Sequence, residues 1–129
     1  MTSAALCLAL AVYYEARGEP FDGQLAVAEV VMNRVESERF PDDVCSVVTQ
    51  GGENRHRCHF SFYCDGKPER PSDLIAWQKA QELADWVLTE RVTLGVTATH
   101  YHADYVEPFW ANEYEYLGKV GQHKFYAQR

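Results

Sequence analysis

No stretch of this 129-residue chain reaches the roughly 18 consecutive apolar residues that a membrane-spanning helix needs, so stable membrane insertion is not expected. Positive charge is scarce: 12 Lys and Arg stand against 19 Asp and Glu, giving a formal net charge of -7 and a pI of about 5.1. A nucleic-acid-binding surface is normally basic, so no nucleic-acid partner is expected. The same balance gives no electrostatic help in finding an anionic polymer. A substrate of that kind has to be held by shape and hydrogen bonds. The N-terminus lacks a basic n-region, and its apolar run reads as a core helix, not a signal peptide. The chain is therefore expected to accumulate in the cytoplasm before release by another route, or to be a trimmed form. Repeats, low-complexity tracts and linkers are missing, which at this length implies one domain over residues 1–129. The one basic cluster, Arg55-His56-Arg57 with His59 nearby, is short and is expected to be a solvated loop.

What is present describes a folded protein. Hydrophobic residues make up 47% of the chain and charged ones 24%, outside the disordered regime. Residues 4–14 contain nothing ionisable and predict a buried first helix, with Gly18 suited to a C-terminal cap and Pro20 forbidding continuation. A second helix is predicted from Asp22, as N-cap, to about Ser37, apolar around most of its circumference. Gln24 and Asn33 are polar on that helix and suit either ordering of the Glu15 loop or contact with a ligand, of which the structural use is expected. A short helix follows over 42–49, then an irregular lobe over 50–71. A further helix is predicted from Ser72 or Asp73 to about Thr89, with a stripe of Leu74, Trp77, Ala84 and Leu88 beside Ala80, Leu83 and Val87. After Gly95 the period changes to two, placing Val96, Ala98, His100 and His102 on one strand face. A last strand is expected around 123–126. The fold class is α+β, mainly helical with a small β element. Of the four cysteines, Cys7 is expected to pack as a small hydrophobe. Cys58 and Cys64, six apart in an aromatic loop, suit a local disulfide, with Cys45 as competing partner.

Glu15 carries the chemistry. It lies seven residues after Leu8 and three after Val12, so it projects along the buried stripe of the first helix. Desolvation and the negative end of the helix dipole both disfavour its ionised form. A carboxyl that holds its proton near neutral pH is what a general acid for glycosidic cleavage requires.

Taken with its surroundings, Glu15 falls in a sequence that resembles the spore-cortex-lytic (SleB/CwlJ) family of cell-wall hydrolases. The matching stretches are Tyr14-Glu15-Ala16-Arg17-Gly18-Glu19-Pro20, Gly23-Gln24, Ala26-Val27-Ala28, Val30-Val31 and Asn33-Arg34-Val35. Further on come Phe40-Pro41, Phe60-Ser61, Pro108 with Trp110, and Gly121 to Tyr126. The resemblance implies a lysozyme-like fold of the goose-type and lytic transglycosylase branch. It implies cleavage between N-acetylmuramic acid and N-acetylglucosamine of peptidoglycan glycan strands, with Glu15 as the catalytic residue, no cofactor and a monomeric enzyme. Nothing in the chain points to spores, so wall remodelling or a phage lysin is the expected setting. Substrate contacts are expected from Glu19, Phe60, Ser61, Tyr101, His102, Trp110 and His123, although Glu19 is better read as structural, pairing with Arg17, Arg34 or a backbone N–H. The groove is expected between the 58–64 lobe and the 100–112 segment. Two rivals remain: a zinc amidase using His100, His102 and His123, which lacks an H-E-x-x-H helix, and a non-catalytic glycan-binding module.

Overall fold

The computed structural model describes residues 2–51, 59–64, 70–90 and 95–128, without the side chains of Ser61 and Cys64. Helix α1 spans Ser3–Ala16, and the Thr2 hydroxyl caps it by accepting from the Ala5 N–H at 3.1 Å. Leu8, Ala9, Ala11, Val12 and Tyr13 are wholly buried. The helix stops without the glycine cap expected from the sequence. Arg17 closes the helix in right-handed geometry, and the Glu19 N–H returns to the Ala16 carbonyl. Gly18 is not among the glycines with positive φ. The chain needs no left-handed residue there because Pro20 already ends the helix.

Helix α2 covers Phe21–Val35 and starts before Asp22, which sits in the first turn and complements the dipole instead of capping. Leu25, Ala28 and Val31 pack with α1, the short α3 (Val44–Val48) and α4 (Leu74–Glu90) in the main core. Ala26, Val27 and Val30 join Ala16, Ala98 and Phe125 in a second cluster against the sheet. Two buried faces explain the nearly continuous apolar pattern of α2. In α4, Ala80, Leu83, Ala84 and Val87 face inward as expected, but Leu74 is exposed, one turn too early to meet α1.

The cysteines pair otherwise than expected. Cys7 is joined to Cys45, tying α1 to α3 with Cα atoms 5.2 Å apart. Cys7 lies on the side of α1 that α3 covers, so a neighbouring helix supplies the partner that the local spacing of Cys58 and Cys64 suggested elsewhere. The Cys58–Cys64 pairing, like the Arg55-His56-Arg57 cluster, lies outside the described residues.

The β element is a three-stranded antiparallel sheet in the order β1-β3-β2, from β1 (His100–Ala103), β2 (Glu115–Val120) and β3 (His123–Ala127). Strand β2 was not expected, since Gly118 interrupts it at φ 137° where a bulge shifts its register against β3. Gly121 and Gln122 make the two-residue turn into β3, with Gly121 at φ 59°.

Candidate active site

Strand alternation gives the sheet two chemically distinct faces. Tyr101 pairs with Phe125 and Ala103 with His123, which puts these four on the face turned to the end of α1. His100 pairs with Tyr126 and shares the other face with His102. On the first face the Tyr101 hydroxyl donates to Oε1 of Glu15 at 2.5 Å. Glu15 is half-buried in the last turn of α1 and borders a groove of about 220 Å³ lined also by Tyr14, Glu19, Ala103, Tyr105 and His123.

Desolvation raises the Glu15 pKa above its ordinary value; the Tyr101 hydrogen bond and the nearby Arg34 charge oppose that rise without cancelling it. Burial, reinforced by the Glu15 charge, pushes the Tyr101 phenol well above its ordinary value, so it stays a donor. Because Tyr101 occupies Oε1, the proton of neutral Glu15 belongs on Oε2. In its neutral form Glu15 has one oxygen held by Tyr101 and can give a proton from the other.

Three side chains that make this geometry come from α2: Gln24 and Asn33, whose expected use was structural, and Arg34, to which the sequence assigned no such role. Asn33 donates from Nδ2 to the carbonyls of Val96 and Ala98, both at 2.8 Å. Arg34 donates from Nε to the Thr99 carbonyl at 2.7 Å, with its guanidinium 4.8 Å from the Phe40 ring and 5.5 Å from Phe60. Together they fix residues 96–99, the lead into β1, and so deliver Tyr101 to Glu15. Gln24 donates to the Glu19 carbonyl at 3.0 Å and orders the turn after Glu15. The sequence signal for Arg34 was its place in the narrow polar remainder of a mostly apolar helix.

Glu19 takes the last of its three expected partners. Both its carboxylate oxygens accept from the Gln122 N–H, at 3.0 and 3.2 Å. His123 Nδ1 lies 3.2 Å from Oε1 but outside hydrogen-bonding geometry. Burial lowers the His123 pKa, outweighing the attraction of Glu19 and Asp104, so the contact is not an ion pair at neutral pH. Glu15, Glu19, Tyr101 and His123 are thus brought together. Phe60 is not with them: it is buried in the main core. Ser61's side chain lies outside the described residues.

His102 and Trp110 stand on the other sheet face. His102 is bound at Nδ1 to the Ala103 carbonyl (2.7 Å) and at Nε2 to the Tyr126 hydroxyl (2.9 Å). Trp110 packs in a ring cluster with His100, Tyr114 and Tyr126. Burial, with Arg34 and His59 nearby, pushes the His100 pKa down to about 4. The zinc arrangement fails on register: His123 faces away from His100 and His102, and no group able to hold a metal occurs among the described residues. The 100–112 segment does line the groove, through Ala103 and Tyr105, and the β2–β3 turn lines it through Gln122 and His123; no described residue of the 58–64 lobe is among its lining.

A helical domain with a small sheet, and one desolvated carboxyl at the end of a buried helix, defines the lysozyme-like class. The chain belongs to the cell wall hydrolase family, whose model matches residues 18–126. It is 30% identical to the spore cortex-lytic enzyme of Halalkalibacterium halodurans over 118 residues, covering 92% of this chain and 33% of that enzyme. A 41-residue stretch is 58% identical to the spore cortex-lytic enzyme of Oceanobacillus iheyensis, covering 32% of this chain and 15% of that enzyme. The chain thus spans about a third or less of these relatives' length. Among solved structures, the catalytic domain of the germination-specific lytic transglycosylase SleB from Bacillus anthracis superposes with TM-score 0.73 at 28% identity, covering 98% of this chain and 96% of that one. The catalytic domain of Bacillus cereus SleB gives 0.70 at 28% identity, covering 97% and 91%. The fold is that of the SleB catalytic domain.

Proposed function

We propose that this chain cleaves the β-1,4 bond between N-acetylmuramic acid and N-acetylglucosamine in peptidoglycan, with Glu15 as its one catalytic carboxyl. The observation that carries the reading is Glu15 in a groove, its pKa raised by burial and its Oε1 held by Tyr101. Glu15 gives its Oε2 proton to the glycosidic oxygen as the C1–O bond breaks. The carboxylate so formed takes the proton of the muramyl 6-hydroxyl as that oxygen bonds to C1, which leaves a 1,6-anhydro end and restores the neutral acid. Water in place of the 6-hydroxyl gives the muramidase product by the same proton transfers.

The usual glycosidase pair needs a second carboxylate. Glu19 is the other carboxylate among the described groove residues, and its oxygens are held by Gln122, which supports the single-residue mechanism. The Cys7–Cys45 disulfide suits an oxidising compartment, as expected of action at the wall outside the cytoplasm. Mass spectrometry of the material released from purified sacculi tests the reading. Muropeptides with anhydro-muramyl ends, released undiminished after exhaustive chelation, are expected. Free stem peptides, lost with chelator and restored by zinc, would contradict it.

A further inference from the structure

A second cavity among the described residues is larger than the groove at Glu15. It measures about 750 Å³ and lies on the far side of the Glu19 turn, between the start of α2 and the C-terminal half of α4. Phe21 and Trp86 form its aromatic wall, 51% and 44% exposed with ring centroids 6.0 Å apart. Buried Leu83 contributes to its lining. Glu82 and Asp85 line it with Lys79, so both signs of charge meet the apolar rings. Glu19 borders this cavity and the Glu15 groove alike, so the two are neighbours across that residue.

That lining selects its occupant by chemistry. Exposed rings beside carboxylates attract an organic ammonium. A lysine in the same wall adds a partner for a carboxylate on the same ligand. An anion alone is disfavoured by the acidic excess, and a purely apolar ligand would desolvate Lys79, Glu82 and Asp85 without offering them a polar partner. On the function proposed above, a glycan strand lying past Glu15 projects a peptide from the lactyl group of its muramic acid, away from the sugar chain. We infer that this cavity binds the stem peptide through a diamino acid whose free end carries an ammonium and a carboxylate on one carbon, with its methylene chain against Phe21 and Trp86. The enzyme then reads whether a stem is free or cross-linked, because cross-linking turns that ammonium into an amide.

Calorimetry on the Glu15→Gln variant tests this without turnover. The probes are a disaccharide tetrapeptide with a free diamino end, the same compound acetylated on that amine, and the peptide-free disaccharide. The free-ended probe is expected to bind about tenfold tighter than the acetylated one, as for one charge-assisted contact. Adding Trp86→Ala should weaken both peptide probes, and adding Glu82→Gln, an exposed single-charge change, should collapse the preference. Equal affinity for the two peptide probes, or a preference that survives both additions, overturns the inference while leaving the proposed function intact. Failure to bind even the peptide-free disaccharide, together with no release from sacculi by the unaltered protein, overturns the proposed function and this inference with it.

Discussion

The proton on Glu15 has a thermodynamic signature. Its pKa is raised in the folded chain above the ordinary 4.5, so at low pH both states hold the proton and folding is not penalised. As pH rises above about 4.5 the unfolded chain ionises first, and stability is lost until the folded pKa is passed. Glu15→Gln escapes this loss. Its stability advantage over the unaltered protein should open above that pH and then level off, as thermal melts across pH would show. Tyr101→Phe removes a hydrogen bond that favours the carboxylate, so the Glu15 pKa climbs further. The alkaline limb of the activity profile should move to higher pH while the maximal rate falls, whereas a merely structural loss would leave the limb in place. At Gly121 an added Cβ would lie 2.6 Å from Oε2 of Glu19, at a φ of 59° that L side chains adopt at a cost. Gly121→Ala should cost roughly 1–2 kcal/mol from the backbone alone, measurable by denaturant unfolding. Glu15 was legible because a charge ends an uncharged helix. Tyr101 was expected at the site as a substrate contact, but its bond to Glu15 was not legible, since it joins positions 86 residues apart.

Elements place these residues. Helix α1 is held from two sides, by the Cys7–Cys45 bridge to α3 and by the Tyr13 hydroxyl, which accepts from the Ser72 and Asp73 N–H groups before α4. The bridge closes a 38-residue separation, for which loop entropy gives about 3–4 kcal/mol. Cys7→Ser with Cys45→Ser should lower stability by that order in calorimetric melts, and an unchanged melting temperature would show the helices hold without it. Four helices and two of three strands could be anticipated from apolar period, from Pro20 as a stop to the first helix, and from Asp22 and Asp73 near helix starts. Strand β2 could not, because Tyr116, Leu117 and Lys119 are all exposed and Gly118 breaks the alternation that marks a half-buried strand. The cysteine pairing escaped for another reason: sequence spacing says nothing of which helix covers Cys7.

At the scale of the whole molecule, the sheet separates two groups of side chains that look alike in sequence. Tyr101 and His123 turn to Glu15, while His102 turns to the ring cluster around Trp110, and only the register of β1 against β3 distinguishes the three strand residues. The site therefore depends on α1, the α2 clamp on residues 96–99 and the β2–β3 turn acting together on one carboxyl. The most direct test of that claim compares Glu15→Gln with Glu19→Gln by the rate of soluble muropeptide release from purified sacculi. Glu15→Gln should lose at least the upper part of the about 10²–10⁴-fold that acid–base catalysis contributes, with its fold retained, and Glu19→Gln should lose less and melt lower. Near-normal release by Glu15→Gln with release abolished in Glu19→Gln would show that the catalytic carboxyl has been misidentified.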